Sequence, residues 1–198
     1  MTAYENRNYR RVQNGAAMVF PDGGPLSIVC RLRGYKNASR VTGPDFMGEI
    51  FKEKGVRQFF YGSTPETLDK LRGILEKEHP DIQICGMYSP PFRTLSHEED
   101  EEIVDMINAA KPDIVWIGLG APKQENWMAK HEGRINAVMV GVGAGFDYFA
   151  GNIKRAPMIM QKLSLEWLYR LVQEPKRLYK RYFSTNTVFL IATVSYTH

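Results

Sequence analysis

The residues best placed to do chemistry lie in Gly118-Leu119-Gly120-Ala121-Pro122-Lys123-Gln124-Glu125. This segment sets a lysine and a primary amide in the first turn of a helix that directly follows an apolar strand. Lys123 can neutralise a diphosphate there, and Gln124 can hydrogen-bond a sugar or ribose. A routine strand-to-helix turn with a solvated lysine has the same spelling, but charge and glycines coincide at a binding edge. Asp22 sits in the turn Pro21-Asp22-Gly23-Gly24-Pro25 and can act as general base toward a hydroxyl. The spacing alone fits an Asx turn as well. Asp147 follows Gly143-Ala144-Gly145-Phe146 and suits either a ribose or base contact or a helix cap. Arg40 is an isolated cation that composition alone would leave on the surface.

Several common chemistries are excluded by what is missing. No G-x-x-x-x-G-K-[ST] occurs, so there is no P-loop. Gly118-Leu119-Gly120 is followed by Lys123 where a dinucleotide fingerprint needs Gly or Ala, which argues against a nicotinamide site. There is no Asp-x-Asp and no His/Asp cluster at metal-ligand spacing. The acidic run Glu98–Glu102 reads as a solvated helix start that complements the dipole.

These residues need elements to position them. Gln58–Tyr61, Ile82–Cys85, Ile114–Ile117 and Ala137–Val142 are short apolar runs that read as buried strands. Between them lie helix starts: Thr64 as N-cap with Pro65 in the first turn, and Ser96 with Glu99 at capping-box spacing. Leu68, Leu71, Ile74 and Leu75, and then Ile103, Val104, Ile107 and Ala110, give the stripes behind those starts. Such alternation predicts an α/β fold, a Rossmann-like parallel sheet with helices on both faces. Right-handed crossovers put every strand's carboxyl end on one edge, where Gly62, Gly118–Gly120 and Gly143–Gly145 converge and phosphate is well received. Ahead of the sheet, Tyr4–Gln13 can form a polar helix and Asp45–Lys54 an amphipathic one. After it, Met158–Val172 carries one apolar face until Pro175.

The chain has 198 residues, 43% hydrophobic and 24% charged, enough for one good core with a small appendage. Cys30 and Cys85 are too few for a disulfide scaffold, and their apolar neighbours suggest reduced core thiols. No signal peptide is visible, and no apolar run reaches the ~20 residues of a membrane span. The net charge is +4 and is unevenly placed. Ala150–His198 holds eight Lys/Arg against Glu166 and Glu174, a net of +6, which leaves −2 for the rest. Arg170, Arg177 and Arg181 lie in this basic tail beside Trp167, Tyr169, Tyr179, Tyr182 and Phe183. That pattern fits an anionic interface, although a solvated basic face reads the same way. A nucleic-acid role is disfavoured, because the body is net acidic and no recognition motif appears.

Seven motifs occur in order: Phe20–Pro25, Arg40–Asp45, Tyr88–Phe92, Gly118–Glu125, Gly141–Asp147, Lys154–Pro157 and Leu165–Arg170. Together they resemble the WecG/TagA/CpsF glycosyltransferases, from about Ala3 to about Phe183. The resemblance implies a core over residues 1–157, without the strand and helix with which family members begin, and a basic helical appendage over 158–198. It implies inverting, metal-independent transfer of an N-acetylhexosamine such as N-acetylmannosamine. The donor would be a UDP-sugar and the acceptor an undecaprenyl-diphosphate-linked sugar, for wall teichoic acid, common antigen or capsule. No cofactor is implied. Asp22 would be the base, with Arg40 and Gln124 at the donor sugar or phosphates. Gly62, Gly120, Lys123, Gly143, Gly145, Phe146 and Asp147 would help hold the UDP. Arg170, Arg177 and Arg181 would dock the tail on an anionic membrane and complete the site, in a cytoplasmic protein peripheral to the inner face. Family members tend to self-associate, which adds a homo-oligomer to the expected partners. The alternative is a truncated, inactive module that binds UDP or membrane.

Overall fold

A computed structural model describes residues 6–162, 165–173 and 175. Two compact units emerge. Thr42–Lys154 forms one, and both ends of the chain, Met1–Val41 with Arg155–His198, form the other.

The contiguous unit holds a four-stranded sheet. Its strands are β1 (Arg57–Gly62), β2 (Gln83–Tyr88), β3 (Ile114–Gly118) and β4 (Val138–Gly141). All pair in parallel in the order β2-β1-β3-β4, as the alternation of apolar runs and helix starts predicts. Successive side chains point to opposite faces, so each strand feeds two cores. Phe60 and Trp116 enter one core, with Met47, Phe51, Leu71, Leu75 and Phe146. Phe59, Tyr61, Val115 and Ile117 enter the other, with Ile103, Val104 and Ile107. Each such side chain contributes roughly 1.5–3 kcal/mol when fully removed from water.

The crossovers explain which helix covers which face. Helix α4 (Pro65–Glu78), the β1–β2 crossover, puts Leu68, Leu71 and Leu75 into the first core. Helix α5 (His97–Ala109) carries the chain back past β1 to β3 and packs on the second core. The winding direction therefore reverses between β1 and β3, whose carboxyl ends flank the crevice where ligands bind in open α/β sheets. Helices α3 (Gly43–Ile50) and α7 (Gly145–Phe149) complete the first face, and α6 (Lys123–His131) the second.

The helix starts behave as spelled. Thr64 Oγ1 accepts from Thr67 N, and Ser96 with Glu99 closes a reciprocal capping box. Glu99 also takes both guanidinium arms of Arg93. Those bonds from Arg93, with help from the Ser96 backbone N–H, hold the Glu99 carboxyl down to about 2. A depressed carboxylate favours the folded state above its unfolded pKa and loses that contribution as pH falls toward 2. Arg93→Ala should therefore raise the Glu99 midpoint toward the ordinary glutamate value, as read by carboxyl NMR titration; an unmoved midpoint would refute the pairing.

The other unit is described on its own. It contains α1 (Arg7–Gly15), α2 (Gly24–Leu32), α8 (Met158–Lys162) and α9 (Glu166–Gln173). Two expectations change. The Pro21–Pro25 turn runs straight into α2, with Pro25 in its first turn. The apolar stretch Met18-Val19-Phe20 lies exposed, as do Met158, Ile159, Trp167, Leu168 and Val172. Both cysteines are free, as expected, but only half-buried, and Cys85 alone packs against a core. Burial nevertheless pushes the Cys85 thiol up, which makes it a poor nucleophile at neutral pH.

Candidate functional site

The rim begins at the switch point. Gly62 ends β1 with φ +123°, and a Cβ there would stand 2.7 Å from the Gly118 carbonyl. Only glycine allows the two strand ends to approach this closely. Ser63, also left-handed at φ 60°, donates its N–H to the Gly118 oxygen at 3.2 Å. Gly118 is itself backed by Phe146, whose ring lies 2.7 Å from where a Cβ would sit. Phe146 is 1% exposed and packs on Phe60 at 5.6 Å. It is thus part of the core beneath the rim, as is the buried Gly145, whereas Asp147 is half-buried.

Gln124 is the hub of the rim and is buried. Its backbone N–H reaches the Gly120 carbonyl at 3.0 Å, which closes the first turn of α6. Its side-chain Oε1 accepts from Gly143 N at 3.0 Å, and its Nε2 donates to Glu125 Oε1 at 3.0 Å. The amide thus ties the turn after β4 to the turn after β3. Glu125 Oε2 is buried with no hydrogen-bond partner, so the amide is this carboxylate's anchor. Gln124→Leu should orphan both the Gly143 N–H and the carboxylate. An orphaned buried group costs about 1–3 kcal/mol. Denaturant unfolding should record that loss; an unchanged midpoint would remove the hub role.

Around the hub, Lys123 opens α6 with its side chain exposed. Gly143 has φ +56°, and Gly145 is held under the Met47 sulfur, 2.6 Å from where a Cβ would be. Asp147 Oδ1 accepts from Asn152 Nδ2 at 3.1 Å, and Asn152 also bonds Thr67 and Lys70. Asp147 is therefore already coupled to α4 through Asn152. Among the described residues, no group of three His, Cys, Asp or Glu side chains could hold a metal ion. Nor is any helix among them long and apolar enough to cross a membrane.

In the unit formed by the chain ends, Val41 N donates to the Pro21 carbonyl at 3.1 Å. This bond sets the Pro21–Asp22 segment against Arg40–Val41, so two residues singled out from the sequence share a neighbourhood. Asp22 is exposed and directly precedes Gly23, the N-cap of α2. The Arg40 guanidinium forms an ion pair with Glu166 of α9, and both side chains are about one-fifth exposed. Glu166 was not legible as a site residue: its partner lies 126 positions away. Arg170 lies in α9, while Arg177 and Arg181 fall outside the described residues.

The whole chain matches the model of the Glycosyl transferase WecG/TagA/CpsF family over residues 1–197. It is 35% identical over 179 residues to the N-acetylglucosaminyldiphosphoundecaprenol N-acetyl-beta-D-mannosaminyltransferase of Bacillus spizizenii W23, covering 88% of this chain and 68% of that protein. The protein of the same name from Bacillus subtilis 168 is 34% identical over 189 residues, covering 92% of this chain and 70% of its own length. The one from Staphylococcus aureus MW2 is 34% identical over 181 residues, with 89% and 69% covered. With a glycine-bound rim at the switch point of a parallel sheet and this extent of similarity, the chain belongs to the WecG/TagA/CpsF glycosyltransferase family.

Proposed function

We propose that this chain transfers an N-acetylmannosaminyl group from a UDP donor to an N-acetylglucosamine carried on diphosphoundecaprenol, with inversion and without a divalent ion. The observation that carries this reading is the juxtaposition of Asp22 and Arg40 through the Val41–Pro21 backbone bond. It occurs in a chain about 35% identical to transferases of that name. Asp22 takes the proton from the acceptor hydroxyl as its oxygen attacks the anomeric carbon. The bond from that carbon to the UDP oxygen breaks, and UDP leaves with the electron pair. Cationic side chains and helix-end amide groups offset the charge that grows on the departing diphosphate. The reaction serves cell-surface polymer synthesis such as wall teichoic acid, with the protein peripheral to the inner membrane face.

The test is UDP release from UDP-N-acetylmannosamine with a lipid-diphosphate N-acetylglucosamine acceptor, with and without EDTA. Acceptor-dependent release that EDTA leaves unchanged is expected. UDP binding without turnover would make the chain an inactive module instead, and loss of activity in EDTA would end the metal-independent scheme.

A further inference from the structure

An open groove of about 400 Å³ lies in the unit that carries Asp22. Helix α2 lines it with Ser27, Ile28 and Arg31; Arg40 follows, and α8 adds Met158 and Gln161. Among the described residues, no acidic side chain lines it. Its two cations are not equivalent. Arg40 is neutralised by Glu166, whereas Arg31 makes no ion pair with any described residue. The apolar lining is exposed: Ile28 by 45% and Met158 by 68%. Leu32, one turn beyond Ile28, and Ile159, next to Met158, are exposed by 82% and 72%. Exposed apolar side chains gathered in this way mark a binding surface. Beside an uncompensated guanidinium they suit an amphiphile whose anionic group adjoins a hydrocarbon chain. A nucleotide fits less well, because no aromatic ring among the described residues lines the groove for a base to stack on.

We infer that this groove takes the diphosphate and first isoprene units of the lipid-linked acceptor, with Arg31 on a phosphate and Ile28 and Met158 on the hydrocarbon. The inference rests on the transferase reading for the identity of the lipid. It gives Asp22 a physical relation to that substrate. Gly24, also in the groove lining, is two residues from Asp22 at the head of α2. The sugar attached to the diphosphate is thereby led toward the Asp22 end of the groove.

The experiment measures binding of the full chain to N-acetylglucosaminyl-diphospho-farnesol in neutral detergent micelles, alongside UDP binding and UDP release. Arg31→Gln should weaken lipid binding by about tenfold or more, the worth of one hydrogen bond to a charged group. Ile28→Asn should weaken the farnesyl compound but not a methyl-diphospho sugar. Neither change should alter UDP affinity. Wild-type lipid binding by both variants, or no lipid binding by the unaltered chain, would overturn the groove assignment. An equal loss of binding to phosphatidylglycerol vesicles would also overturn it, making the groove a general membrane contact. So would a loss of UDP affinity in Arg31→Gln. Arg31-dependent lipid binding without any UDP release would leave the groove standing while the transferase reading fell.

Discussion

Asp22→Asn is expected to lower turnover by roughly 10²- to 10⁴-fold, the range for loss of a positioned general base. That corresponds to about 3–5 kcal/mol of transition-state stabilisation. Asparagine has the same shape and can occupy the same exposed turn ahead of α2, so the unfolding midpoint should hold. UDP affinity should hold too, because Asp22 is assigned to the acceptor hydroxyl and not to the nucleotide. The effect therefore belongs in kcat, read as initial rates of UDP release at saturating donor and acceptor. Equal rates for the two proteins would remove Asp22 from the chemistry, and a fallen melting temperature would mark it as a structural Asx residue.

The largest expected effect on stability is at Trp116. Its side chain is fully buried, meets Phe46 and Phe51 edge-on at 6.0 Å, and donates Nε1–H to Gln58 Oε1 at 2.8 Å. Trp116→Ala removes the packing, for about 3–5 kcal/mol. It also orphans a buried amide oxygen, for about 1–3 kcal/mol more. Against a total stability of about 5–15 kcal/mol, this variant should be largely unfolded or nearly so at 37 °C. Trp116→Phe keeps most of the ring contact and should lose markedly less. Urea denaturation of both variants checks the ranking; a Trp116→Ala midpoint within error of the parent would refute the role given to this ring.

The fold was legible where burial is two-sided. The runs around Phe59 and Val115 are apolar without alternation, as parallel strands covered on both faces must be, whereas the equally apolar run around Val140, expected to be buried, forms the edge strand and leaves Val138 63% exposed. Thr64 and Ser96 announced their helices because capping is a local, side-chain-to-backbone event. Two features were harder. Strand β2 reads as ending at Cys85 because Gly86 looks like a breaker, yet it runs to Tyr88. Gly86 is there because a Cβ would come within 2.3 Å of the Phe59 ring on the neighbouring strand, a tertiary demand invisible in the local spelling. Likewise Gly24-Pro25 reads as a turn, and the same pair opens α2, since proline fits the first helical turn as readily as a bend. At the site, the glycines and Lys123 could be read from the sequence. The Gln124 hub could be named, but its partner Gly143 could not, because that contact is fixed only once β4 lies beside β3.

The order in which the chain is made bears on the unit built from its two ends. Residues 42–154 form a contiguous stretch and can collapse as soon as they leave the ribosome, since domains generally fold as units during synthesis. Residues 1–41 must wait, because the helices that complete their unit, and the Glu166 that neutralises Arg40, are translated only after residue 154. A nascent chain thus carries its glycine-bound sheet rim well before the surroundings of its proposed base are assembled. Late maturation of that kind would keep a half-made enzyme from consuming activated sugar.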